Sequence, residues 1–233
     1  MARVVAVIPV LNEAGAIGVT IAALPRDVVD HVIVVDGGST DATVAEAEAL
    51  GAEVLIERRA GYGRACALGA SRARELGAEI VLFLDGDGAD PAEEAGRIVA
   101  PVLSDGADFV LATRHAKPEA GSLGFHQVLA GRLIGRAVAL LYGTRYTDMS
   151  AFRAIRVDRL AALGMQETTY GWNLEMQMRA AHARLRILEV ALPYRRRVAG
   201  QSKVAGNLRG TVSAGRRILG TLARVAWTLR STP

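Results

Sequence analysis

Glu79-Ile80-Val81-Leu82-Phe83-Leu84-Asp85-Gly86-Asp87-Gly88-Ala89-Asp90 is an apolar run that ends in a turn carrying three carboxylates. Such a run, without polar alternation, fits a strand covered on both faces, as in a parallel sheet flanked by helices. Working outward, Val4 to Pro9 and His31 to Val35 read the same way, and Glu53 to Ile56 is a shorter β-rich run. Amphipathic stretches separate all of them. The order βαβαβαβ predicts an α/β fold with a doubly wound, mainly parallel sheet. A fifth strand is expected from Ala107 to Thr113, leading into Arg114-His115, with helical periodicity from Phe125 to Leu141. Beyond Asp148 the alternation loosens. Tyr170 to Ala183 reads as helix, Leu185 to Leu192 as strand, and Gly200 to Gly206 as a connection.

In sheets of this kind ligands collect beyond the carboxyl ends of the strands. The unusual residues stand there: Leu11-Asn12-Glu13 after the first run, Asp36-Gly37-Gly38-Ser39-Thr40-Asp41 after the second, and the acidic turn after the fourth. Asp85 and Asp87, on either side of a glycine, can meet one hard cation through oxygen, which points to Mg2+ or Mn2+. Asp36 can accept from a base or ribose, while Ser39 or Thr40 caps the next helix. Gly61-Tyr62-Gly63-Arg64 opens a helix and either approaches a ligand or only marks a tight turn. Strand one lacks a glycine-rich phosphate loop, which removes dinucleotide-binding dehydrogenases and P-loop enzymes.

Composition narrows the class further. The chain has 233 residues, 51% hydrophobic and 22% charged, which is ordinary globular usage. Cys66 is the only cysteine, so a disulfide framework is excluded and a buried thiol in a reducing, cytoplasmic setting is expected. No stretch reaches the roughly 20 apolar residues of a spanning helix. Arg184 to Pro233 holds eleven Lys and Arg against one acid, Glu189, so the net +4 divides into a basic end and an acidic body. That end suits phosphates or anionic lipid. Nucleic acid is not expected, since aromatics are only 5% and the acidic body repels a long polyanion. Asn207 to Arg230 plots as an amphipathic helix with Leu208, Val212, Leu219, Leu222, Ala226 and Leu229 on one side and Arg209, Arg216, Arg217 and Arg224 mostly opposite. Its apolar face either packs on the domain or lies on a membrane at the inner face.

Taken together, Ile8-Pro9-Val10-Leu11-Asn12-Glu13, Val34-Val35-Asp36-Gly37-Gly38-Ser39-Thr40-Asp41 and Leu84-Asp85-Gly86-Asp87-Gly88 resemble the serial motifs of family 2 glycosyltransferases. These enzymes have the GT-A fold, a Rossmann-like arrangement that binds nucleotide-diphospho-sugars. Asp148-Met149-Ser150-Ala151-Phe152-Arg153 and Arg197 through Gly200-Gln201-Ser202-Lys203 are most similar to signatures of the dolichyl- and polyprenyl-phosphate sugar transferases. The resemblance implies that Pro9, Asn12, Glu13, Asp36, Gly63, Arg64 and Asp85 serve the nucleotide sugar, and that Asp85 and Asp87 hold the metal. It places Arg114, Asp148, Ser150, Arg153, Arg197, Ser202 and Lys203 at the acceptor and the phosphates, with Asp87, Arg114 and Glu175 as the catalytic set. Two departures stand out. Asp148 lies one residue closer to the Phe-Arg pair than in many relatives, and Ala89 replaces a Gln that contacts metal in some.

Glu175 is expected either to position a basic side chain or to abstract a proton, and Trp172 to stack on a ligand or to pack in the core. The resulting expectation is a catalytic domain over 1–206 and a basic helix over 207–233. It would move a hexose, with inversion, from a GDP- or UDP-linked donor to a polyprenyl phosphate at the cytosolic membrane face. A soluble or polysaccharide hydroxyl acceptor is the nearest alternative, and a nucleotide-sugar-binding module without catalysis is the rival from another class. Mannose, glucose and N-acetylhexosamines all remain open.

Overall fold

β1 (Val4–Val10) runs through the centre of a sheet, with β2 (His31–Asp36) on one side and β4 (Ile80–Phe83) on the other, both parallel to it. The computed structural model describes residues 3–119, 125–199 and 208–231. β3 (Glu53–Ile56) extends the sheet beyond β2, and β5 (Phe109–Pro118), β6 (Arg153–Arg156) and β7 (Ile187–Tyr194) extend it beyond β4. The order is β3-β2-β1-β4-β6-β5-β7, with β6 antiparallel to both of its neighbours and the other pairings parallel. This is the mainly parallel, helix-flanked sheet of the GT-A fold.

The lack of polar alternation in β1 has a direct cause. Val4, Ala6, Ile8 and Val10 enter one buried cluster, while Val5 and Val7 enter another on the opposite face. The first cluster is closed by α1 (Ile17–Ala23), α2 (Thr43–Ala49) and α4 (Ala95–Leu103). The second is closed by α3 (Tyr62–Glu75), α5 (Phe125–Tyr142), α6 (Val157–Leu163), α7 (Trp172–His182) and α8 (Leu208–Ser231). Helix α3 sits unusually close to the sheet because Gly69 has no side chain; a Cβ there would lie 3.1 Å from Val35 Cγ2 and nearer still to Val7. Cys66, on the same helix, is fully buried, and burial pushes its thiol far up, as an inert core cysteine should be.

One feature departs from the sequence-based expectation, and a second bears on a choice that the sequence left open. The short strand β6 begins at Arg153, the last residue of the segment read as an acceptor signature, and it enters the sheet antiparallel between β4 and β5. Four residues of mixed polarity give no strand signal of their own, so only pairing with two buried neighbours makes this segment a strand. The second concerns α8. Val225 and Leu229 are buried, and Ile218, Leu222 and Ala226 pack against the second cluster, so this part of the apolar face packs on the domain, where α8 meets α7. Leu219, grouped with that face on the helical plot, points outward at 63% exposure. No helix among the described residues is long and apolar enough to cross a membrane.

Candidate active site

The carboxyl ends of β1 through β4 open on one cleft of roughly 420 Å³. Pro9, Glu13, Asp85, Asp87 and Arg197, all expected at the site, line it. The acidic turn is shaped by its own backbone: Asp87 Oδ1 accepts from Ala89 N at 2.9 Å, and Asp90 Oδ2 accepts from Asp85 N at 3.2 Å. Gly86 must be glycine here, since a Cβ would approach within 2.6 Å of Val10 Cγ1. Asp87 and Asp90 are buried beside Asp85. Burial, then the charge of Asp87, raises Asp85 to about 6, and burial with Asp85 and Asp87 pushes Asp90 well up.

Against these acids stands Arg197, from the segment after β7. Its Nη2 lies 2.7 Å from Asp87 Oδ2, and its Nη1 lies 3.4 Å from Glu13 Oε1. The segment is fixed on the turn by backbone bonds, Val198 N to Asp87 O at 3.0 Å and Arg195 N to Ala89 O at 3.1 Å. Gly88, at a φ of 74°, leaves the space that Val198 fills.

A second arginine is held beside the acids rather than in the cleft lining. Arg114 donates to both oxygens of Asp148, Nε to Oδ2 at 2.9 Å and Nη2 to Oδ1 at 2.7 Å, and lies 5.1 Å from the centroid of the Tyr194 ring. Burial works against the charge on Arg114, but the Asp148 pair outweighs it and holds the guanidinium above its ordinary value. Asp148, expected at the acceptor, is therefore the partner that orients Arg114. Its carboxylate is raised by burial and lowered more by Arg114, ending below its usual range.

Several expected contacts lie elsewhere. Asp36, 1% exposed, accepts from Gly38 N at 2.8 Å, from Ser39 N at 2.9 Å and from Ser39 Oγ, so its carboxylate shapes the turn after β2 and does not line the cleft. Asn12, at a φ of 51°, joins that turn to β1 by accepting from Thr40 N. Gly63 provides close packing, because a Cβ would lie 2.8 Å from the Thr168 carbonyl carbon. The backbone N of Arg64 donates to Thr168 O at 3.2 Å. Ser150 is fully buried and its Oγ accepts from Phe152 N.

Arg153 departs from its expected place, and Glu175 takes the positioning alternative, holding the basic side chain of Arg179. Arg153 is fully buried on β6, donating to Asn173 O and Ser150 O, with the Phe109 ring 5.9 Å away, because the antiparallel strand turns it into the core. Glu175 is 1% exposed; Oε2 accepts from Gln166 N at 3.0 Å and Glu167 N at 2.6 Å, and Oε1 from Arg179 Nε at 2.8 Å. A carboxylate so engaged is no free base. Trp172, 3% exposed, packs in the core. Ser202 and Lys203 lie outside the described residues.

The cleft also contains Tyr62, from the Gly61-Tyr62-Gly63-Arg64 helix opening, and residues the sequence reading passed over: Glu57, Arg58, Arg59, Thr169, Tyr170 and Asn173. Glu57-Arg58-Arg59 stands immediately after β3, where the strand-end rule already pointed. Glu57 is held at about 2 by hydrogen bonds from the Arg59 side chain and backbone.

Two carboxylates on a tight turn, with a guanidinium facing them across a cleft at the strand ends, suit a diphosphate held between a cation and an arginine. The glycosyl transferase family 2 profile matches residues 5–163. An uncharacterized glycosyltransferase of Mycobacterium tuberculosis is 35% identical over 215 residues, covering 91% of this chain and 94% of that protein. The undecaprenyl-phosphate mannosyltransferase of Micrococcus luteus is 30% identical over 224 residues, covering 89% and 90% of the two chains. Among solved structures, glucosyl-3-phosphoglycerate synthase of Mycobacterium tuberculosis, in complex with Mn2+, UDP-glucose and phosphoglyceric acid, is similar with a TM-score of 0.76 at 25% identity, covering 97% of this chain and 80% of that one. The strand-end cleft, the order of its motifs and these likenesses agree: the chain belongs to glycosyltransferase family 2.

Proposed function

We propose that this glycosyltransferase moves a hexose, with inversion, from a GDP- or UDP-linked donor to a polyprenyl phosphate, working peripherally at the cytosolic membrane face with Mg2+ or Mn2+ at Asp85 and Asp87. The observation that carries the reading is the pairing of that acidic turn with Arg197 across one cleft. Residues 1–206 carry the chemistry in this reading, and 207–233 support it.

The donor set fits a divalent cation. Asp85, Asp87 and Asp90 stand together in one turn, and Asp85 is raised by burial first and by the charge of Asp87 second, an environment in which a dication would make ionisation less costly. Among the described residues no three His, Cys, Asp or Glu side chains converge on one metal position, so Asp85 and Asp87 are the protein residues that would hold the ion. When bound, the metal neutralises charge that grows on the departing nucleoside diphosphate. The chain's own residues do the rest. Arg197 exchanges carboxylate partners for phosphate oxygens, and Arg114, held by Asp148 and the Tyr194 ring, presents a fixed positive charge beside the turn.

A phosphate acceptor is favoured over a sugar hydroxyl by the state of Glu175. A hydroxyl nucleophile calls for a general base, whereas a phosphate is already anionic near neutral pH. With Glu175 engaged by two backbone amides and Arg179, an anionic nucleophile suits the site better. The undecaprenyl-phosphate mannosyltransferase likeness supports the lipid form of that acceptor. A second reading, a soluble acceptor that offers a hydroxyl, draws on the synthase crystallised with phosphoglyceric acid and on the inward apolar face of α8. Incubating the protein with GDP- and UDP-sugars, Mn2+, and either undecaprenyl phosphate in detergent or 3-phosphoglycerate separates them. Sugar transfer to the lipid supports the first, and transfer only to the soluble acid replaces it with the second.

A further inference from the structure

The donor cleft has one wall that no strand supplies. Thr169 and Tyr170 line it from the segment between α6 and α7, and Tyr170 stacks with Tyr62, with ring centroids 6.4 Å apart and planes inclined by 21°. Two near-parallel aromatic rings at a cleft edge offer a flat apolar face to a nucleobase or a sugar ring. What holds that wall is Glu167. Its Oε1 accepts from Thr168 N at 3.1 Å, Thr169 N at 3.0 Å and Thr169 Oγ1 at 2.8 Å. Its Oε2 accepts from Thr221 Oγ1 at 3.0 Å and from Arg224 Nη2, both on α8. One oxygen therefore shapes the turn and the other ties it to the C-terminal helix. Burial raises this carboxyl, but the bonds from Thr169 and Thr221 and the charge of Arg224 hold it below its ordinary value, so it stays ionised for both tasks.

The surrounding backbone is built for that contact. Gly171 has no Cβ, and one there would strike Thr221 and lie 3.0 Å from Glu167 Cδ. On the other side Gly61 and Gly63 let α3 sit directly on the carbonyls of Glu167 and Thr168. From below, Glu175 takes the amides of Gln166 and Glu167. Three helices thus clamp residues 166–170, and α8 reaches them through one carboxylate.

We propose that Glu167 is a positioning residue that couples α8 to the Thr169-Tyr170 wall, so that docking of the C-terminal helix sets donor affinity. The identity of the ligand rests on the function proposed above; the tether itself does not. The test combines calorimetric binding of UDP and GDP in the presence of Mn2+ with amide hydrogen exchange on the full chain. The variants are Thr221→Val with Arg224→Ala, Glu167→Ala, and Arg224→Lys as the conservative rescue. In the double variant the nucleotide that the wild type binds should weaken by about five- to thirtyfold. Exchange at 168–170 should rise while β1 and β4 stay protected, and Arg224→Lys should remain near wild type. Wild-type affinity in the double variant, or unchanged exchange at 168–170, overturns the proposal. If the wild type binds neither nucleotide, the proposed function fails by itself, and exchange alone decides the tether: raised in the double variant it stands, unchanged it falls. Should Glu167→Ala not fold, the double variant on α8 still decides between these outcomes.

Discussion

Arg197 and Asp87 meet across the cleft with 2.7 Å between Nη2 and Oδ2, although one follows the last strand and the other follows β4. The pair balances charge in an otherwise acidic turn, and both residues line the same cleft. In the proposed function, donor binding trades this contact for a charge-assisted bond to the diphosphate.

Arg197→Gln follows from that exchange. Losing a charged hydrogen bond of about 1.5–3 kcal/mol should raise the donor KM by about 10- to 100-fold. Steady-state kinetics with the donor varied will show it. An unchanged KM would place the phosphates away from Arg197.

Asp87→Ala removes both the carboxylate that the proposed function assigns to the metal and the partner of Arg197. Turnover should fall by more than about a hundredfold, while circular dichroism stays native because the turn keeps its backbone bonds to the β7 segment. Activity near wild type would contradict the metal assignment.

Glu175→Gln is expected to act on stability rather than chemistry. The Glu175–Arg179 pair is nearly inaccessible, with side chains 2% and 10% exposed, and breaking such a pair costs about 3–5 kcal/mol. At about 2–4 °C per kcal/mol, Tm should drop by about 6–20 °C. The turnover number measured well below that midpoint should stay within about threefold of wild type, a shift of under about 1 kcal/mol in barrier. Loss of turnover on folded protein would restore Glu175 as a base.

Asp108 gives the acid limb of the stability curve. The side chain of Arg186 is the main cause that holds it at about 2, below its ordinary 3.8. Since the folded pKa lies below the unfolded one, the pair stabilises the protein fully above the ordinary value and loses that contribution as pH falls toward about 2. The difference in urea midpoint between wild type and Asp108→Asn should therefore be constant near neutrality and shrink between about pH 4 and pH 2. A pH-independent difference would detach the effect from this titration.

Much of the scaffold was legible because β1, β2 and β4 are buried on both faces and so carry apolar runs that only a covered parallel sheet explains. The strand-end rule then found Glu13, Asp85 and Asp87, and the family likeness added Pro9 and Arg197. It failed at β6, whose Arg153 looks like a phosphate ligand until pairing with β4 and β5 turns it into the core. Asp36, Asp148 and Glu175 share one cause of ambiguity. Each is a carboxylate in a motif, and sequence does not reveal whether its oxygens are already taken by nearby amides or an arginine. Glu167 was overlooked for the complementary reason, since its partners Thr221 and Arg224 lie more than fifty residues away.

The most direct test is nucleoside diphosphate release from GDP- and UDP-sugars in the presence of undecaprenyl phosphate, with Mn2+ and again after chelation. Release is expected from donors of one base, dependent on both the metal and the lipid phosphate, and absent in Asp87→Ala. Release that persists without metal, or no release from any donor by folded protein, would contradict the proposed transfer.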